Sequence, residues 1–371
     1  MVACDAIVVG GGIVGGSIAF GLARAGLKVV VFDEGDDAVR ASRANFGLVA
    51  VQMKGAGNPD YHRWTRQSAD LWADFAAELE EHSGIDVGFG RQGCAWACLS
   101  EDERILKVQQ LEQIRAEAGT LGFDYQLLDK AEMADLVPGI GPKVVSGAYT
   151  AYDGHCSPLY LLRSLHRATL GLGGRYISNA SVDRIEAAPN SFTVNAGGET
   201  ATAPKLVLGA GLGNTALAPQ LGLDVPLRPQ RGQLLVTERV RPKMAFHMGR
   251  IRQTAEGGFM LGTSNEDAGF DVGTSTGALS AVAQRAVDTL PYLARLRIVR
   301  AWAGLRIMSP DDYPIYDQSP RYPGAFAVAC HSGVTLAAAH VLNVARHIVA
   351  GRIPADLACF SSRRFNVQAA A

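Results

Sequence analysis

The apolar run Ala6-Ile7-Val8-Val9 passes directly into Gly10-Gly11-Gly12-Ile13-Val14-Gly15, and this junction constrains the chain more than any other feature. Gly10, Gly12 and Gly15 stand at the G-x-G-x-x-G spacing. An apolar stretch of helical character follows to Ala25, Gly26 stops it, and Lys28-Val29-Val30-Val31-Phe32 reads as a second strand ending at Asp33. Strand, glycine turn, helix and acid-tipped strand make a complete βαβ dinucleotide-binding unit. In such a unit the first glycine makes the tight turn, the second admits a pyrophosphate against the backbone, and the third lets helix and strand pack closely. Free N–H groups and the dipole at the helix start favour an anion there by about 0.3–1 kcal/mol per charge. Asp33 is placed to take ribose hydroxyls. A bare glycine triplet often marks only a turn; here strand, helix, helix stop and terminal acid all agree.

The 371-residue chain is long for one core, so two interleaved domains are expected. Hydrophobic residues make up 48% and charged residues 19%, an ordinary globular balance. A net charge of −1 offers no basic field for nucleic acid and no polybasic patch for anionic lipid. The first apolar stretch lacks a basic n-region and already carries the glycine unit, which argues against a signal peptide. No other run approaches the roughly eighteen apolar residues of a membrane span. A soluble, cytoplasmic protein acting on small molecules is expected. Cys4, Cys94, Cys98, Cys156, Cys330 and Cys359 are scattered, and Cys94 and Cys98 have three residues between them, not the two of a zinc or redox pair. They read as reduced, mostly buried thiols, with no metal site and no iron–sulfur centre in this chain.

Residues 60–82 have helical periodicity, with Trp64, Leu71, Trp72, Phe75 and Leu79 on one apolar face. Residues 101–135 read as charged amphipathic helices, and Ser157-Pro158 opens another helix by N-cap and N1 chemistry. The segments 175–177, 182–187, 191–195 and 205–209 read as a β-meander closed by a strand that ends at Ala210-Gly211. Residues 225–262 are strand-rich and 275–290 helical; 325–330 read as a strand, after which His331-Ser332-Gly333-Val334-Thr335 opens a helix to about Ala350.

Dispersed motifs give the chain a family likeness over nearly its whole length. They are the opening glycine unit, Ser42-Arg43-Ala44-Asn45-Phe46-Gly47, Asp153-Gly154-His155-Cys156-Ser157-Pro158, Val182-Asp183-Arg184-Ile185, Leu208-Gly209-Ala210-Gly211, Pro229-Gln230-Arg231-Gly232-Gln233, Trp302-Ala303-Gly304-Leu305-Arg306 and His331-Ser332-Gly333. In this order the chain resembles the FAD-dependent D-amino-acid oxidase superfamily, which holds glycine, sarcosine and D-amino-acid oxidases. Within it, Gln52-Met53-Lys54-Gly55, Trp64-Thr65-Arg66 and Cys330-His331-Ser332-Gly333-Val334-Thr335 look most like the FAD-bearing β subunits of heteromeric dehydrogenases: opine oxidases, D-hydroxyproline dehydrogenase and a hydrogen cyanide synthase subunit. Gly333-Val334-Thr335 stands where single-chain oxidases usually carry a second glycine.

The resemblance implies an α/β fold: a Rossmann-like FAD domain of residues 1–80, 148–218 and 322–371, interleaved with a mixed β-sheet substrate domain of residues 81–147 and 219–321. It implies non-covalent FAD, with Gly10, Gly12 and Gly15 at the pyrophosphate, Asp33 at the ribose and the Val182 backbone at the adenine. Ser42, Arg43, Asn45, Gly47 and Leu48 would line the flavin side of the pyrophosphate and the isoalloxazine; for Ser42 and Asn45 a capped turn is the plainer reading. Ala210 and Gly211 belong to the same cofactor set. Ser332, Gly333, Val334 and Thr335 would point a helix start at the flavin, where the dipole stabilises the reduced ring.

Arg306 is the expected anchor of a substrate carboxylate, a guanidinium being able to give it two parallel hydrogen bonds; a surface salt bridge is the alternative. His331 reads as a flavin-edge or structural histidine, with general base as the alternative. His247 and Arg252 fall on an expected strand, within reach of the amine or as solvated strand residues. Lys54 tunes the flavin, contacts a second flavin, or is a loop charge. The activity implied is oxidation of the C–N bond of an amino acid or N-substituted amino acid to an imine, in a subunit passing electrons to partners that carry FMN, FAD or an iron–sulfur centre; an FMN at a subunit interface is left open. A self-sufficient oxidase using oxygen and a scaffold with structural FAD are the alternatives.

Overall fold

The computed structural model describes residues 2–35, 40–241 and 244–366. Its centre is a six-stranded sheet in the order Ile315–Gln318, Ala325–Ala329, Lys205–Leu208, Ala6–Val9, Val29–Phe32, Arg175–Ile177. All neighbours run parallel except the Ile315–Gln318 edge, which is antiparallel to Ala325–Ala329. Parallel strands are covered on both faces, which explains why Ala6–Val9 and Val29–Phe32 are apolar and buried throughout. Alternation decides which layer each residue meets. Ile7, Val9, Val30 and Phe32 join one core with Phe192, Val194 and Ala201, while Ala6, Val8, Val29 and Val31 join another with Ile18, Leu22 and Ile348.

The first of these layers is a second sheet, in which Ile185–Ala188, Ser191–Ala196 and Glu199–Ala203 form an antiparallel meander and Val2–Ala3 pairs parallel at its edge. The expected single meander is therefore two structures. Arg175–Ile177 and Lys205–Leu208 belong to the central sheet, and Val182 lies before the first meander strand, buried. The second layer is helical. Ile13–Arg24 packs against Pro158–Gly171 and against the C-terminal helix, whose turns run Ala337–Ala339, His340–Val344 and Ala345–Val349. Ser157 caps Pro158–Gly171, its hydroxyl accepting from the Tyr160 N–H at 3.4 Å.

A four-stranded antiparallel sheet, Ile251–Gln253, Gly258–Gly262, Arg228–Arg239 and Ile298–Met308, stands apart from the central one. Its two long strands pair from Arg228 with Met308 to Thr237 with Ile298. Residues 101–135 are helical only in part: helices Glu101–Glu117 and Lys130–Leu136 flank a strand, Gln126–Leu128, that joins Ser146–Thr150 and Cys94–Cys98. Cys94, Cys98, Cys156 and Cys330 are buried, Cys359 is exposed, and none of the described helices is long and apolar enough to cross a membrane.

Helix contact is closest at Gly21, where a Cβ would lie 2.5 Å from the Ala345 Cβ and 2.6 Å from the Val341 carbonyl. Neither neighbour can swing away. Gly21→Ala is expected to lower stability by about 1–3 kcal/mol, read from the midpoint of urea unfolding.

Candidate active site

The glycine turn is built by contacts that exclude side chains. Gly10 has φ +98°, and a Cβ there would lie 2.5 Å from the Gly209 carbonyl; one on Gly15 would lie 1.9 Å from the Gly10 carbonyl. Ala210 and Gly211 continue from Gly209 at the end of Lys205–Leu208, so two distant stretches of chain meet over this turn. Asp33 accepts hydrogen bonds from the N–H groups of Gly11 (2.7 Å) and Gly35 (3.0 Å). Gly12 is the N-cap residue of Ile13–Arg24 but has no side chain to cap with; the Ser42 hydroxyl accepts from the Ile13 N–H at 2.9 Å instead.

From Ser42 the chain passes into a cavity of about 300 Å³. Ala44, Asn45, Phe46 and Leu48 form one wall and the antiparallel sheet another, with His331, Ser332, Val334 and Thr335 completing it. Asn45 accepts from the Gly47 N–H at 2.8 Å, and Gly47 has φ +89° with the Cys156 carbonyl where a Cβ would go. Thr335 ties the wall together, its hydroxyl donating to the Leu48 carbonyl and accepting from the Ala50 N–H. Ser332 shares a 2.7 Å hydrogen bond with the Tyr61 hydroxyl. A Cβ on Gly333 would sit 3.1 Å from Val14, which sets this turn against the helix that the glycine unit opens.

The cavity carries Lys54, Arg250 and Arg306, and no Asp or Glu among its described lining residues. Arg306 reaches it from Ile298–Met308. Its Nη2 donates to the Thr263 hydroxyl (2.6 Å) and the Ser264 carbonyl (2.9 Å), and its Nη1 to the Arg231 carbonyl (3.3 Å). Gly232 on the facing strand makes this possible, since a Cβ there would lie 2.5 Å from Nη2. Burial, and the Arg250 charge after it, lower the Arg306 pKa. Lys54 follows the Val51–Gln52 turn, whose two N–H groups donate to the buried Asp153 carboxylate at 2.7 and 3.0 Å. Burial brings the Lys54 ammonium down to about 8, with Arg306 acting in the same direction. His331 is pushed well below the usual histidine range by burial and by the charges of Lys54 and Arg306.

Of the residues singled out in the sequence, Asn45, Leu48, Lys54, Arg306, His331, Ser332, Val334 and Thr335 line the cavity. Gly10, Gly12, Gly15, Asp33, Ala210 and Gly211 gather at the ends of the parallel strands, and Ser42 and Gly333 link the two regions. Arg43 stands beside Ser42 in the 41–44 turn. His247 does not belong with them. It lies in no strand, is 1% exposed, and packs with Cys94 and Asp153 behind the cavity, where burial lowers its pKa to about 3. Nor is Arg252 a solvated strand residue: it is buried in Ile251–Gln253, donating to the Phe46 carbonyl at 2.9 Å. Arg250 is the charged cavity residue that sequence reasoning passed over, although it stands two positions from Arg252.

A family model described as FAD dependent oxidoreductase matches residues 5–345. The chain belongs to that family. This flavoprotein is 43% identical over 366 residues to a subunit of the opine oxidase of Rhizobium meliloti, a match covering 99% of each chain. It is 26% identical to glycine oxidase of Geobacillus kaustophilus over 97% of each. The crystal structure of glycine oxidase from that organism superposes with a TM-score of 0.87 at 25% identity, covering 97% of this chain and 98% of the other.

The residues present fit FAD: a glycine turn with no room for side chains, an acid at the next strand tip, and a bridge through Ser42 into a cavity with polar and apolar walls. With its pKa near 8, Lys54 is charged below that pH and neutral above it. Affinity of the FAD-loaded protein for a non-oxidisable carboxylate is therefore expected to fall as pH rises through about 8. Lys54→Met should remove that inflection in a titration followed by flavin absorbance.

Proposed function

We propose that this flavoprotein oxidises the C–N bond of an amino acid or N-substituted amino acid and serves as the catalytic β subunit of a heteromeric cytoplasmic dehydrogenase. The observation that carries the reading is Arg306, a half-buried guanidinium with a fixed plane in a cavity that has no Asp or Glu among its described lining residues. No acid among the described residues forms an ion pair with it, and a substrate carboxylate matches its geometry. The same field disfavours a further positive charge, so an amino acid bound there holds its nitrogen as the neutral amine. A strong base is then unnecessary. His331, neutral and deprived of basicity by its surroundings, acts as a wall residue at the ring edge. Bound FAD supplies the acceptor for a hydride from the carbon beside the nitrogen. Loss of that hydride and of a proton from nitrogen leaves an imine, which water splits into a keto acid and an amine.

Gly10, Gly12, Gly15 and Asp33, with Val182, Ala210 and Gly211 nearby, are proposed to hold the adenosine and pyrophosphate; Ser42, Arg43, Asn45, Gly47, Leu48 and the 332–335 turn to hold the flavin end. Residues 1–80, 148–218 and 322–371 make up the cofactor domain in this reading, and 81–147 and 219–321 the substrate domain. The heteromer is supported by the relative at 43% identity, which is named as one subunit of an opine oxidase and is matched along its whole length. Partner subunits with FMN, FAD or an iron–sulfur centre would take the electrons, with an FMN at the interface as one arrangement.

Arg306→Ala is expected to lower kcat/KM by about two to four orders of magnitude, from the roughly 3–5 kcal/mol lost when a buried charge loses its partner. The FAD-loaded chain alone should bleach anaerobically with its substrate, reduce an artificial dye, and make little peroxide. Stoichiometric peroxide from the isolated chain would replace the partner-dependent reading with a self-sufficient oxidase. A flavin that stays yellow with every amino acid would mark a scaffold.

A further inference from the structure

The four-stranded antiparallel sheet ends at Ile298–Met308, which pairs on one side with Arg228–Arg239 and on the other with no strand among the described residues. The two halves of this edge differ. From Trp302 onward it is closed by the turn after Ser42: the indole donates to the Ala44 carbonyl at 3.3 Å, and a Cβ on Gly304 would lie 2.2 Å from the Ala44 Cβ. Before Trp302 it is open. Ile298, Val299, Arg300 and Ala301 are exposed in succession, so both faces of the strand are free there and its outward N–H and C=O groups have no strand to pair with.

The open stretch is apolar and basic at once. Ile298 and Val299, β-branched residues suited to a covered strand, are 47% and 63% exposed. Val299 falls at a register shift, since Thr237 faces Ile298 and Val236 faces Arg300. Arg295, Arg297 and Arg300 are exposed, and no ion pair joins any of them to an acid among the described residues. Arg239 and Arg241, at the end of the neighbouring strand and just beyond it, are exposed too. The acids beside them are engaged: Glu238 accepts from the Arg297 backbone N–H at 2.9 Å, and Glu256, which the Arg239 charge reaches, accepts from the Tyr160 hydroxyl at 3.1 Å. In a chain of net charge −1, arginines gathered at one strand end make a local field of a single sign.

Charge and a register shift commonly keep a sheet edge from joining copies of itself. Here that guard is selective. Antiparallel pairing of two copies through this stretch would bring Arg297 and Arg300 of one near those of the other, like charges that repel. A strand bearing Asp or Glu meets the opposite case: its carboxylates face arginines without acid partners, its backbone extends the ladder, and its apolar side chains cover Ile298 and Val299. We propose that this edge is the docking site of the partner subunit, which adds an extended acidic segment as a fifth strand beside Ile298, Val299, Arg300 and Ala301. The proposal rests on the heteromeric reading above. It also places the partner, because the open stretch ends next to Trp302, whose indole holds the turn of Ala44, a cavity residue. A subunit seated there lies against the outside of the wall proposed to hold the flavin.

The complex purified through a tag on this chain, with its partner subunits retained, is compared with the FAD-loaded chain alone. Amide hydrogen exchange at residues 298–301 should be about tenfold slower, or more, in the complex. The double variant Arg297→Glu, Arg300→Glu should weaken partner binding by about 30-fold or more at low salt, and Arg297→Lys, Arg300→Lys should hold the partner within about threefold of native affinity. Neither arginine lines the cavity, so the isolated variants should keep the flavin spectrum and the dye reduction of the native chain. Exchange at 298–301 that is equal in complex and free chain, or a charge-reversed variant that keeps its partner at native affinity, would overturn the docking site while the heteromer stands. Slow exchange in the chain alone, with dimers in sedimentation, would overturn it in favour of a second copy. Reversal that leaves the partner bound but abolishes binding to phosphatidylglycerol vesicles would overturn it in favour of a lipid surface. A native chain that retains no partner subunit would end both this proposal and the heteromeric reading.

Discussion

The approach of one helix to one strand end governs the rest of this molecule. A Cβ on Gly15 would lie 1.9 Å from the Gly10 carbonyl, and one on Gly209 only 2.8 Å from the Gly15 Cα, so helix Ile13–Arg24 rests on backbone from both Ala6–Val9 and Lys205–Leu208. At its other end the same helix meets Val341 and Ala345 across Gly21. Held between these contacts, it fixes the C-terminal helix relative to the sheet. The turn before that helix follows, since Gly333 packs on Val14 and Thr335 bonds to Leu48 and Ala50. A cavity wall drawn from residues near 48 and near 335 thus inherits its position from glycines at 10, 15 and 21.

Within that frame the energetics are set by charge. Interiors tolerate charges best when they are paired. The buried Asp153 carboxylate accepts two backbone N–H groups and the Gln52 amide, and burial raises its pKa in spite of them. The cavity departs from the rule, with three cations and no acid among its described lining residues. Such an arrangement costs stability in the free protein, and binding an anion returns that cost as affinity.

How much of this was legible in the chain depends on whether the deciding contact is local. The βαβ unit occupies the first 33 residues, and each part of it has its own residue signature, so sequence alone placed it. Ser157-Pro158 was equally plain, because a cap acts within four residues. Sheet membership was not. Arg175–Ile177 alternates like its neighbours, and only the register Val30 with Arg175 assigns it to the central sheet. His247 looked available because a lone histidine in a strand-rich stretch shows no sign of the Cys94 and Asp153 packed against it. Arg250 and Arg252 illustrate the limit. Alternation would give them one face, yet Arg252 is spent on the Phe46 carbonyl and Arg250 opens to the cavity, a difference made by residues about 200 positions away and invisible in the pattern.

One acid beside Arg306 shows how the basic site is held in shape. Glu266 accepts from Arg231 at 2.9 Å, from the Gln233 amide at 2.8 Å and from the Ser264 hydroxyl at 2.5 Å. Ser264 in turn accepts from the Gln233 N–H through its hydroxyl and from Arg306 through its carbonyl. The carboxylate therefore orients the segment that holds Arg306, and it shares Arg231 with Asp271. Were Glu266 turned into the cavity, it would neutralise Arg306 and remove the reason for an anion to bind. Bound to Arg231, Gln233 and Ser264 instead, it steadies the guanidinium through the Ser264 carbonyl without pairing with it directly.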